Sequence, residues 1–545
     1  MRLSSCTQIA GRTGSAGIQK REETKLDHGA LSLLPPVLAL VMVIITRRVL
    51  LSLGIGIIVG ALMVNQNEEM FVNEALSQVL GIVTGIFYIP GEGVNTWEFY
   101  ILLFLVILGV IASFISMTGG SRAFGEWALS RVKTRVGAQF VSIFLGIIIF
   151  IDDYFNSLTV GNVSRPLTDR HRISRAKLAY LVDSTAASMC VIVPLSSWGA
   201  YIITLIGNDV LLENGVTEYG ALQAFLMIAP MNFYALFAIA MVFAVAYFKL
   251  DFGPMRVHEL RAIQTGEVTD KEKGPVPGES EDAKPVVTGR VGDLVWPIVT
   301  LVAATVFFMI MTGIQGTEGE PGLLATFENT DVAASLVYGG LVSLAVTFVT
   351  AIIRKVPAKN FGFGLWAGVK SMLPAIYILI FAWTIIEIIG ELGTGAYLAE
   401  IVNDNMNLAF LPVVLFIIAG FMAFTTGTSW GTFGIMLPIA GEIAVQTDPT
   451  LLLPVLAAVL AGAIFGDHCS PISDTTILSS TGAGSHHIDH VNTQLPYALL
   501  VGAVTIAGFL VIGLTGSYFL ALLGAIIVFA LIVTVMKMLI KPLEA

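Results

Sequence analysis

The chain has 545 residues, of which 55% are hydrophobic and only 12% are charged, and its mean hydropathy is +0.83. Soluble domains carry about 25% charged residues, so this composition excludes an ordinary water-soluble protein and indicates a membrane protein. The net charge of −10 is spread over acidic loops, and no basic patch interleaved with aromatic residues suggests a nucleic-acid partner.

Apolar stretches long enough to cross a bilayer recur along the whole sequence. A helix needs roughly 20 residues to span the hydrocarbon core, and none of these stretches alternates in polarity as β-barrel strands do. We predict an all-α polytopic membrane protein with about 11–13 transmembrane segments. The segments lie near 30–46, 49–64, 99–117, 178–205 and 223–248, and then near 293–313, 333–353, 372–390, 408–424, 451–466, 495–513 and 516–536.

Polar segments divide the chain into regions. Residues 1–29 form a polar, basic tail that lacks the apolar core of a signal peptide. Residues 249–292 are rich in Glu, Lys, Pro and Gly, which favours a flexible cytoplasmic linker. We predict a first transmembrane repeat at 30–248, a second at 293–515, and an extra C-terminal helix with a tail at 516–545.

Lysine and arginine set the predicted orientation, because they accumulate in cytoplasmic loops. The loops at 65–98, 206–222, 314–332 and 391–407 contain acidic residues and no Lys or Arg, so we place them outside. The basic loops between them then face the cytoplasm. This orientation gives a multi-pass protein of the plasma (cytoplasmic or inner) membrane with a cytoplasmic C-terminus.

The two halves contain matching polar motifs. Shifting the second half back by about 273 positions lays residues 423–434 over 150–161, and at nearly the same offset 471–474 lies over 194–197. Basic loops surround the first set of motifs, whereas no Lys or Arg lies between the two lysines at 370 and 537. We therefore predict two inverted-topology repeats, each with a re-entrant hairpin or broken helix, as in many secondary transporters.

Oxygen-bearing side chains follow an apolar run in the first half. Asp152 and Asp153 come directly after it, and Asn156 and Thr159 follow within two turns. Carboxylate, amide and hydroxyl oxygens suit a hard cation such as Na+, and a carboxylate inside a membrane can also carry a proton. The alternative is an acidic pair that ends a helix at the cytoplasmic surface.

Asp183 lies early in the predicted span 178–205, within a polar strip, and Ser196 lies in the motif repeated in the second half. Both are candidates for the ion or proton site. The simpler explanation for Asp183 is a carboxylate at a helix start that pairs with Arg175 or Lys177.

The motif Gly-Asp-His-Cys-Ser-Pro-Ile-Ser-Asp-Thr-Thr at 466–476 interrupts an apolar segment of the second half. Its two aspartates, Asp467 and Asp474, are seven residues apart and would share one face of a continuous helix. Pro471 between them frees a backbone carbonyl that could bind a cation. The hydroxyl candidates are Ser470 and Ser473 in the motif and Thr428, Ser429 and Thr432 in the opposing hairpin, unless these hydroxyls only pack helices together.

Histidines add two further candidates. His468 could shuttle protons or could serve as a hydrogen-bonding partner of its neighbours. The group His486, His487, Asp489 and His490 has the composition of a metal site, but it falls in a predicted cytoplasmic turn. We favour a solvated loop or a pH-sensing role over bound zinc.

Together, the motif at 466–476, Phe-Ile-Asp-Asp-Tyr at 150–154 and Gly-Thr-Ser-Trp-Gly-Thr at 427–432 resemble the NhaC-type sodium/proton antiporters of the ion-transporter superfamily. The resemblance covers roughly residues 30–515. It implies Na+ extrusion coupled to H+ entry and paired re-entrant hairpins. Proteins similar to this family also exchange organic anions or carry amino acids.

Two functional hypotheses follow. The first is a sodium/proton antiporter that works by alternating access, with Na+ and H+ competing for buried carboxylates. Its Na+ site comprises Asp152, Asn156, Asp467 and Asp474. The second is a Na+- or H+-coupled transporter of a small organic anion or amino acid, with Arg165 and His468 holding the substrate.

An enzyme is not expected, because no nucleophile–base pair or cofactor fingerprint is present. Membrane lipid, Na+ and H+ are the expected partners, with a small carboxylate or amino acid under the second hypothesis. We allow a homodimer, and we expect neither nucleic acid nor a cofactor.

Overall fold

The computed structural model describes residues 29–543, except for residues 47, 92, 151, 195, 219, 275, 277–285, 318–321, 323–325, 327–328, 395–396 and 398–407. The predicted tail at 1–29, apart from Gly29, lies outside the described residues, as do parts of the predicted linker and of the outer loop at 391–407.

The described chain is almost entirely helical. The first half contains α1 (Leu34–Thr46), α2 (Val49–Val64), α3 (Phe71–Gly85), α4 (Glu98–Met117), α5 (Gly120–Arg131), α6 (Arg135–Ile148), α7 (Asp153–Arg170), α8 (Arg175–Ile192), α9 (Ser197–Leu205), α10 (Ala221–Ile228) and α11 (Phe233–Phe248). A short antiparallel ribbon of β1 (Tyr88–Ile89) and β2 (Gly93–Val94) precedes α4, with Tyr88 paired to Val94.

The rest of the chain begins with α12 (Gly253–Thr265). It continues with α13 (Gly292–Gly316), α14 (Val332–Ile353), α15 (Lys359–Glu391), α16 (Leu411–Thr426), α17 (Ser429–Thr447), α18 (Leu452–Cys469), α19 (Asp474–Ala483), α20 (His487–Thr515) and α21 (Tyr518–Leu539). Short 3-10 helices lie at Gly29–Leu33, Ala229–Met231, Lys271–Lys273, Leu408–Phe410 and Pro449–Leu451, and a π-helix lies at Ile206–Leu212.

Within the described residues, eight helices are long and apolar enough to cross a membrane, and the bent pair Ala221–Met231 and Phe233–Phe248 makes a ninth. Shorter apolar helices and broken helices add to these. Large apolar side chains such as Trp296, Phe307 and Phe519 are exposed on α13 and α21, as expected where lipid rather than water surrounds a helix. The prediction of an all-α polytopic membrane protein is confirmed.

The helices form two groups with a polar centre between them. One group packs α4, α13, α14 and α15 around a shared apolar core. The larger group includes α8, α11, α16, α18 and α20. In it α16 and α18 touch through their backbones, since a Cβ at Gly466 would lie 2.0 Å from the carbonyl oxygen of Gly420. The helices α7 and α19 lie between, and they supply Tyr154 and Ile477 to the first core.

Four helices are interrupted at polar motifs. The breaks lie at 149–152, between α6 and α7, and at 193–196, between α8 and α9. In the second half they lie at 427–428, between α16 and α17, and at 470–473, between α18 and α19. The breaks at 193–196 and 470–473 coincide within one residue with the paired motifs 194–197 and 471–474, whereas the break at 427–428 lies beyond 422–425, the positions that match 149–152. The inverted orientation of the two repeats stays a prediction.

The predicted linker at 249–292 is folded where the structure describes it. It contains α12, whose Glu259 is fully buried. Its carboxylate accepts hydrogen bonds from Arg135 Nη2 at 2.6 Å and from the backbone N–H of Ser174 at 2.7 Å. The linker therefore packs against the N-terminal ends of α6 and α8. The predicted outer loop at 65–98 likewise contains a helix, α3.

Candidate functional site

Each break is followed by a half-helix whose first turn points into the polar centre. Asp152 caps α7 by accepting from the N–H of Phe155 at 2.9 Å, and Ser196 caps α9 by accepting from the N–H of Gly199 at 2.8 Å. Ser473 caps α19 in the same way. Thr428 precedes α17 but makes no side-chain cap. The start of a helix carries partial positive charge, so these ends stabilise carboxylates placed beside them.

The first turns of α7 and α19 carry two neighbouring carboxylates, Asp153 and Asp474. Trp198 Nε1 donates to Asp153 Oδ1 at 2.8 Å. Tyr154 donates its hydroxyl hydrogen to Asp474 Oδ2, and the N–H of Thr475 donates to Asp474 Oδ1 at 2.8 Å. The second oxygen of Asp153, Oδ2, is buried and has no hydrogen-bond partner. A buried carboxylate oxygen without a partner is thus available to a cation or a proton.

A second open oxygen belongs to Asp467, in the last turn of α18. Its Oδ2 accepts from Ser429 Oγ at 3.0 Å and from Thr475 Oγ1 at 3.2 Å. Its Oδ1 is buried without a hydrogen-bond partner. Asp474 is within electrostatic range of both Asp467 and Asp153. The three carboxylates therefore form one connected acidic centre, to which the neighbouring Asp152 also contributes.

Asp183 lies beside this centre but has different surroundings. Its Oδ2 accepts from Gln494 Nε2 at 2.5 Å, from His490 Nε2 at 3.2 Å and from Thr476 Oγ1 at 3.4 Å. Its Oδ1 accepts from Ser479 Oγ at 3.0 Å. Donors from two helices, α19 and α20, thus surround this carboxylate.

Arg175 and Lys177, the two basic residues considered as partners of Asp183, form ion pairs with other carboxylates. Arg175 binds Asp169 at 2.6 Å, and Lys177 binds Asp251 at 2.6 Å. The explanation of Asp183 as a carboxylate held by these cations at a helix start is therefore wrong.

The other side chains predicted to offer an oxygen ligand to a cation fall into two sets. Asn156 Nδ2 donates to the carbonyl of Gly146 at 2.6 Å, which closes the first break, while its Oδ1 is buried and unpartnered. Thr159 Oγ1 is also buried without a partner. Ser470 and Thr432, in contrast, donate to backbone carbonyls at 2.8 Å and 3.0 Å. Asn156 and Thr159 therefore each carry a buried, unpartnered oxygen on α7, the helix that also carries Asp153.

Arg165 lies at the opposite end of α19 from Asp474. Its Nε donates to the carbonyl of Gly482 at 2.7 Å, and its Nη2 donates to the carbonyl of Thr481. A cation at the C-terminus of a helix satisfies carbonyls that lack helical partners and complements the helix dipole. Arg165 thus caps α19 in this structure, and its role in holding a substrate stays a prediction.

The chemistry of the centre favours a cation that accepts oxygen ligands. Among the described residues, no group of three or more His, Cys, Asp or Glu side chains is placed to share a metal ion, and Cys190 and Cys469 are free thiols. A cation here would use carboxylate, hydroxyl, amide and carbonyl oxygens, which suit hard cations. The predicted set of Asp152, Asn156, Asp467 and Asp474 contains three carboxylates, which the structure does not place around one ion, so this set stays a prediction.

Comparison with known proteins identifies the family. Residues 189–514 match the Na+/H+ antiporter family. The chain belongs to the Na+/H+ antiporter family. The resemblance predicted from the motif at 466–476 is confirmed, and family membership supports a secondary transporter of the antiporter type. A transporter family is consistent with the expectation that the protein is not an enzyme.

Relatives of this antiporter are similar over different lengths. A protein of Haemophilus influenzae described as uncharacterized is 48% identical over 491 residues, which cover 89% of this chain and 91% of that protein. The malate-2H+/Na+-lactate antiporter of Bacillus subtilis is 32% identical over 152 residues, 27% of this chain and 31% of that protein. The arginine/ornithine antiporter ArcD of Halobacterium salinarum is 31% identical over 157 residues, 28% of this chain and 31% of that protein.

Several residues of the antiporter's polar centre were missed by sequence reasoning. Tyr154 and Thr475 lie inside the quoted motifs, so their positions could have been proposed. His490 was assigned to a turn for which a solvated loop was one explanation, and that explanation is wrong because its side chain is fully buried. Gln494 carries no sequence signal at all, since its two acceptors, Asp183 and the carbonyl of His468, are distant in the chain.

Aromatic side chains cover one side of the acidic centre. The ring of Trp430 lies 6.0 Å from that of Trp198 and 6.5 Å from that of Trp97, which in turn lies 6.4 Å from Tyr154. Trp97 immediately precedes α4. The rings therefore lie beside the carboxylates, since Trp198 and Tyr154 donate hydrogen bonds to Asp153 and Asp474.

Proposed function

We propose that this antiporter exchanges Na+ for H+ across the plasma membrane, with its C-terminus in the cytoplasm. The observation that carries the proposal is the pair of buried, unpartnered carboxylate oxygens, Asp153 Oδ2 and Asp467 Oδ1. Neither carboxylate forms an ion pair with a Lys or Arg side chain anywhere in the described part of the chain.

Several carboxylates are buried together without a Lys or Arg partner among the described residues. This arrangement explains why Na+ and H+ would compete for the same groups. A charged group removed from water is costly unless it is paired, and Asp153, Asp467 and Asp474 are all buried within reach of one another's charge. Such a centre must be neutralised by Na+ or by protons. Binding one ion weakens the binding of the other, which is the property that an antiporter requires.

The broken helices support alternating access, because discontinuous helices that meet at the ion site are common in transporters that work in this way. The half-helices α7 and α19 touch at glycine, because a Cβ at Gly161 would lie 2.3 Å from the carbonyl carbon of Gly482. We propose that these two half-helices move together during the transport cycle. In the proposed cycle the carboxylates bind Na+ from the cytoplasm, release it outside, and return with a proton.

A second candidate function is exchange of a small organic anion or amino acid. The first turns of α7, α9, α17 and α19 bring positive helix ends together, and such ends suit an anionic substrate. Relatives named as malate/lactate and arginine/ornithine antiporters point the same way. Arg165 lies at the far end of α19, so any substrate anion at the centre would be held by backbone N–H groups.

Proteoliposomes with a pH-sensitive dye inside test the proposal. Addition of Na+, K+ or Li+ to vesicles holding the purified protein should give a proton flux with Na+. The flux should be lost in Asp467→Asn and Asp474→Asn. Asp448→Asn is the matched control, because Asp448 is a surface carboxylate that caps a turn by accepting from Thr450.

The outcomes separate the two functions. A proton flux that needs only Na+ supports sodium/proton exchange. A flux that stays absent until malate, lactate or an amino acid is supplied overturns it in favour of the second function. Equal activity of Asp467→Asn and Asp448→Asn would contradict the assignment of the acidic centre as the ion site.

A further inference from the structure

An open cavity of about 440 Å³ lies away from the acidic centre, where α5 begins. Its volume falls within the range of about 300–1,000 Å³ that is usual for small-molecule pockets. Gly119, Ala123 and the charged side chains of Arg122 and Glu126 line one side, and residues 286–289 line the other. The cavity therefore lies between α5 and the segment that leads into α13.

The walls of the cavity are held together through the backbone. The N–H of Val286 donates to the carbonyl of Met117 at 2.9 Å. A Cβ on Gly289 would lie 2.3 Å from the carbonyl carbon of Gly119, so the two segments touch there. Because these contacts join backbones, replacement of a lining side chain should leave the walls in place.

Three exposed tryptophans mark the level of the bilayer at which the cavity lies. Trp127 belongs to α5, Trp296 lies near the start of α13 and Trp366 near the start of α15, with exposed fractions of 46%, 65% and 61%. The start of α15 packs on the end of α4, since a Cβ on Gly364 would lie 2.7 Å from Met117 Cε. Tryptophan is enriched at the membrane–water interface, where its ring lies at the level of the lipid headgroups. The cavity therefore opens in the headgroup layer.

Each of the two segments that form the cavity carries an exposed arginine. Arg122 lines the cavity and forms an exposed ion pair with Glu126 at 3.0 Å. Arg290 directly follows the lining segment and is also exposed. Asp293, three residues later, binds Arg354 at 2.7 Å. Since these two ion pairs are neutral, Arg290 adds a net positive charge at the rim of the cavity.

Two lysines add to this positive charge. The lining residue Val287 packs in one apolar cluster with Val356 and Phe361, and Lys355 and Lys359 lie in the same stretch and are exposed. The described charged residues around the cavity are therefore positive in sum. Basic pockets between membrane helices suit the headgroups of anionic phospholipids.

We propose that this cavity binds the headgroup of an anionic phospholipid. The phosphate is held by Arg122 and Arg290, because a guanidinium presents paired N–H donors to phosphate oxygens. Glu126 accepts a hydrogen bond from a hydroxyl of the headgroup. The acyl chains lie along the exposed apolar face of α13, which includes Val299 and Phe307. A free phosphate ion would use the same arginines but not this apolar face, which favours the lipid.

Native mass spectrometry of the full-length protein tests the inference. The delipidated protein in detergent is titrated with phosphatidylglycerol, and the lipid retained by each chain is counted. We expect tight retention of one molecule of phosphatidylglycerol and weaker retention of phosphatidylcholine, which has no net negative charge. In Arg122→Gln combined with Arg290→Gln, the apparent dissociation constant for phosphatidylglycerol should rise about 30-fold, since each basic residue near the membrane surface contributes about fivefold.

Arg131→Gln combined with Lys133→Gln is the matched control. It removes two exposed positive charges at the other end of α5, and both residues lie outside the lining of the cavity. At physiological ionic strength, exposed charges farther apart than about 8 Å are largely screened, so the control should raise the dissociation constant by less than about threefold.

A second variant tests the cavity without changing its charge. Thr288 lines the cavity and is exposed, so the indole ring in Thr288→Trp should fill the space that the headgroup needs. Tight retention of phosphatidylglycerol should be lost in this variant as well.

Three results would overturn the inference. Equal losses of retention in the two double variants would show that lipid is held by general surface charge. Equal retention of phosphatidylcholine and phosphatidylglycerol would exclude recognition of an anionic headgroup. Displacement of phosphatidylglycerol by inorganic phosphate would identify a site for the free ion instead. None of these results depends on sodium/proton exchange, so a failure of the lipid site is distinguishable from a failure of the proposed function.

Discussion

Tyr154 donates a hydrogen bond to Oδ2 of Asp474, although the two residues lie 320 positions apart in the chain. The same pair of half-helices, α7 and α19, also meets through Ser479 Oγ and Ser157 Oγ at 2.9 Å. The first contact joins residues 154 and 474, and the next joins residues 157 and 479, so the residue numbers increase in the same direction along both helices. The helices α7 and α19 therefore run parallel and start side by side. Their positive N-terminal ends therefore act on the same carboxylates.

Replacement of Tyr154 by Phe should weaken Na+ binding. The change keeps the ring but removes a hydrogen bond to the ionised Asp474, and a bond to a charged group contributes about 1.5–3 kcal/mol. We expect the apparent Na+ affinity in the transport assay to fall roughly 10-fold or more near neutral pH. Tyr201→Phe is the control, since Tyr201 packs on Trp430 at 4.8 Å. Equal affinities of the two variants would contradict the role of the hydroxyl.

Replacement of Thr475 by Val should reduce transport by removing a donor to Asp467. Valine matches the shape of threonine and leaves the backbone N–H that binds Asp474 in place. The lost hydroxyl contact of 3.2 Å should cost roughly 10-fold in Na+ affinity. Thr505→Val is a matched control because Thr505 donates only to the Val501 carbonyl of its own helix. A loss of the same size in both variants would indicate a general effect on packing.

The sequence predicts the membrane segments and the acidic motifs well, for a physical reason. A span needs a long apolar run, and α13, predicted at 293–313, occupies Gly292–Gly316. Polar residues that interrupt such runs are costly in a membrane, so the motifs around Asp152 and Asp467 stand out. Their positions at helix breaks are visible without any three-dimensional information.

The partners of these groups are not predictable from the sequence, because they come from distant segments. Nothing near Asp183 in the chain indicates that His490 and Gln494 will surround it. The charged composition of 249–292 suggested a flexible linker, yet Glu259 is buried against Arg135, which lies 124 positions earlier. When the partner of a charged residue is distant in the chain, the sequence alone predicts that the residue is exposed to water. The fold brings the partner to it, and the charged residue is then buried.

Replacement of Gly161 by Ala should destabilise the contact between α7 and α19. The added Cβ would lie 2.3 Å from the backbone of Gly482, and since the obstacle is backbone the helices must move apart. Overpacking of this kind costs about 1–3 kcal/mol, so the thermal midpoint in detergent should fall. Gly81→Ala, on α3 with nothing within 4 Å of the added Cβ, should be neutral or slightly stabilising. Equal midpoints for the two variants would contradict the close contact.

Replacement of Glu259 by Gln should loosen the docked linker. Glu259 lies 2.6 Å from Arg135 and 3.6 Å from Lys177, and removal of one partner from a buried ion pair costs about 3–5 kcal/mol. Limited proteolysis in detergent should cleave α12 faster in this variant. Glu126→Gln is the control, because its ion pair with Arg122 at 3.0 Å is exposed and such pairs contribute at most about 1 kcal/mol.

Acid should loosen the same linker in the wild-type protein. Burial raises the pKa of Glu259, but the charges of Lys177 and Arg135 outweigh it, so the pKa lies below its usual value. A carboxyl group with a lowered pKa stabilises the fold above the pKa of the unfolded chain, and this contribution is lost as the pH falls through the folded value. Asp251 opposes this trend, because burial raises its pKa despite the ion pair with Lys177.

Hydrogen exchange of the α12 amides, measured at pH 7 and at lower pH, tests this prediction. The exchange should be faster at the lower pH in the wild type, and the difference between the two pH values should be smaller in Glu259→Gln. An acid response that is unchanged by this substitution would assign the linker's pH dependence to other groups.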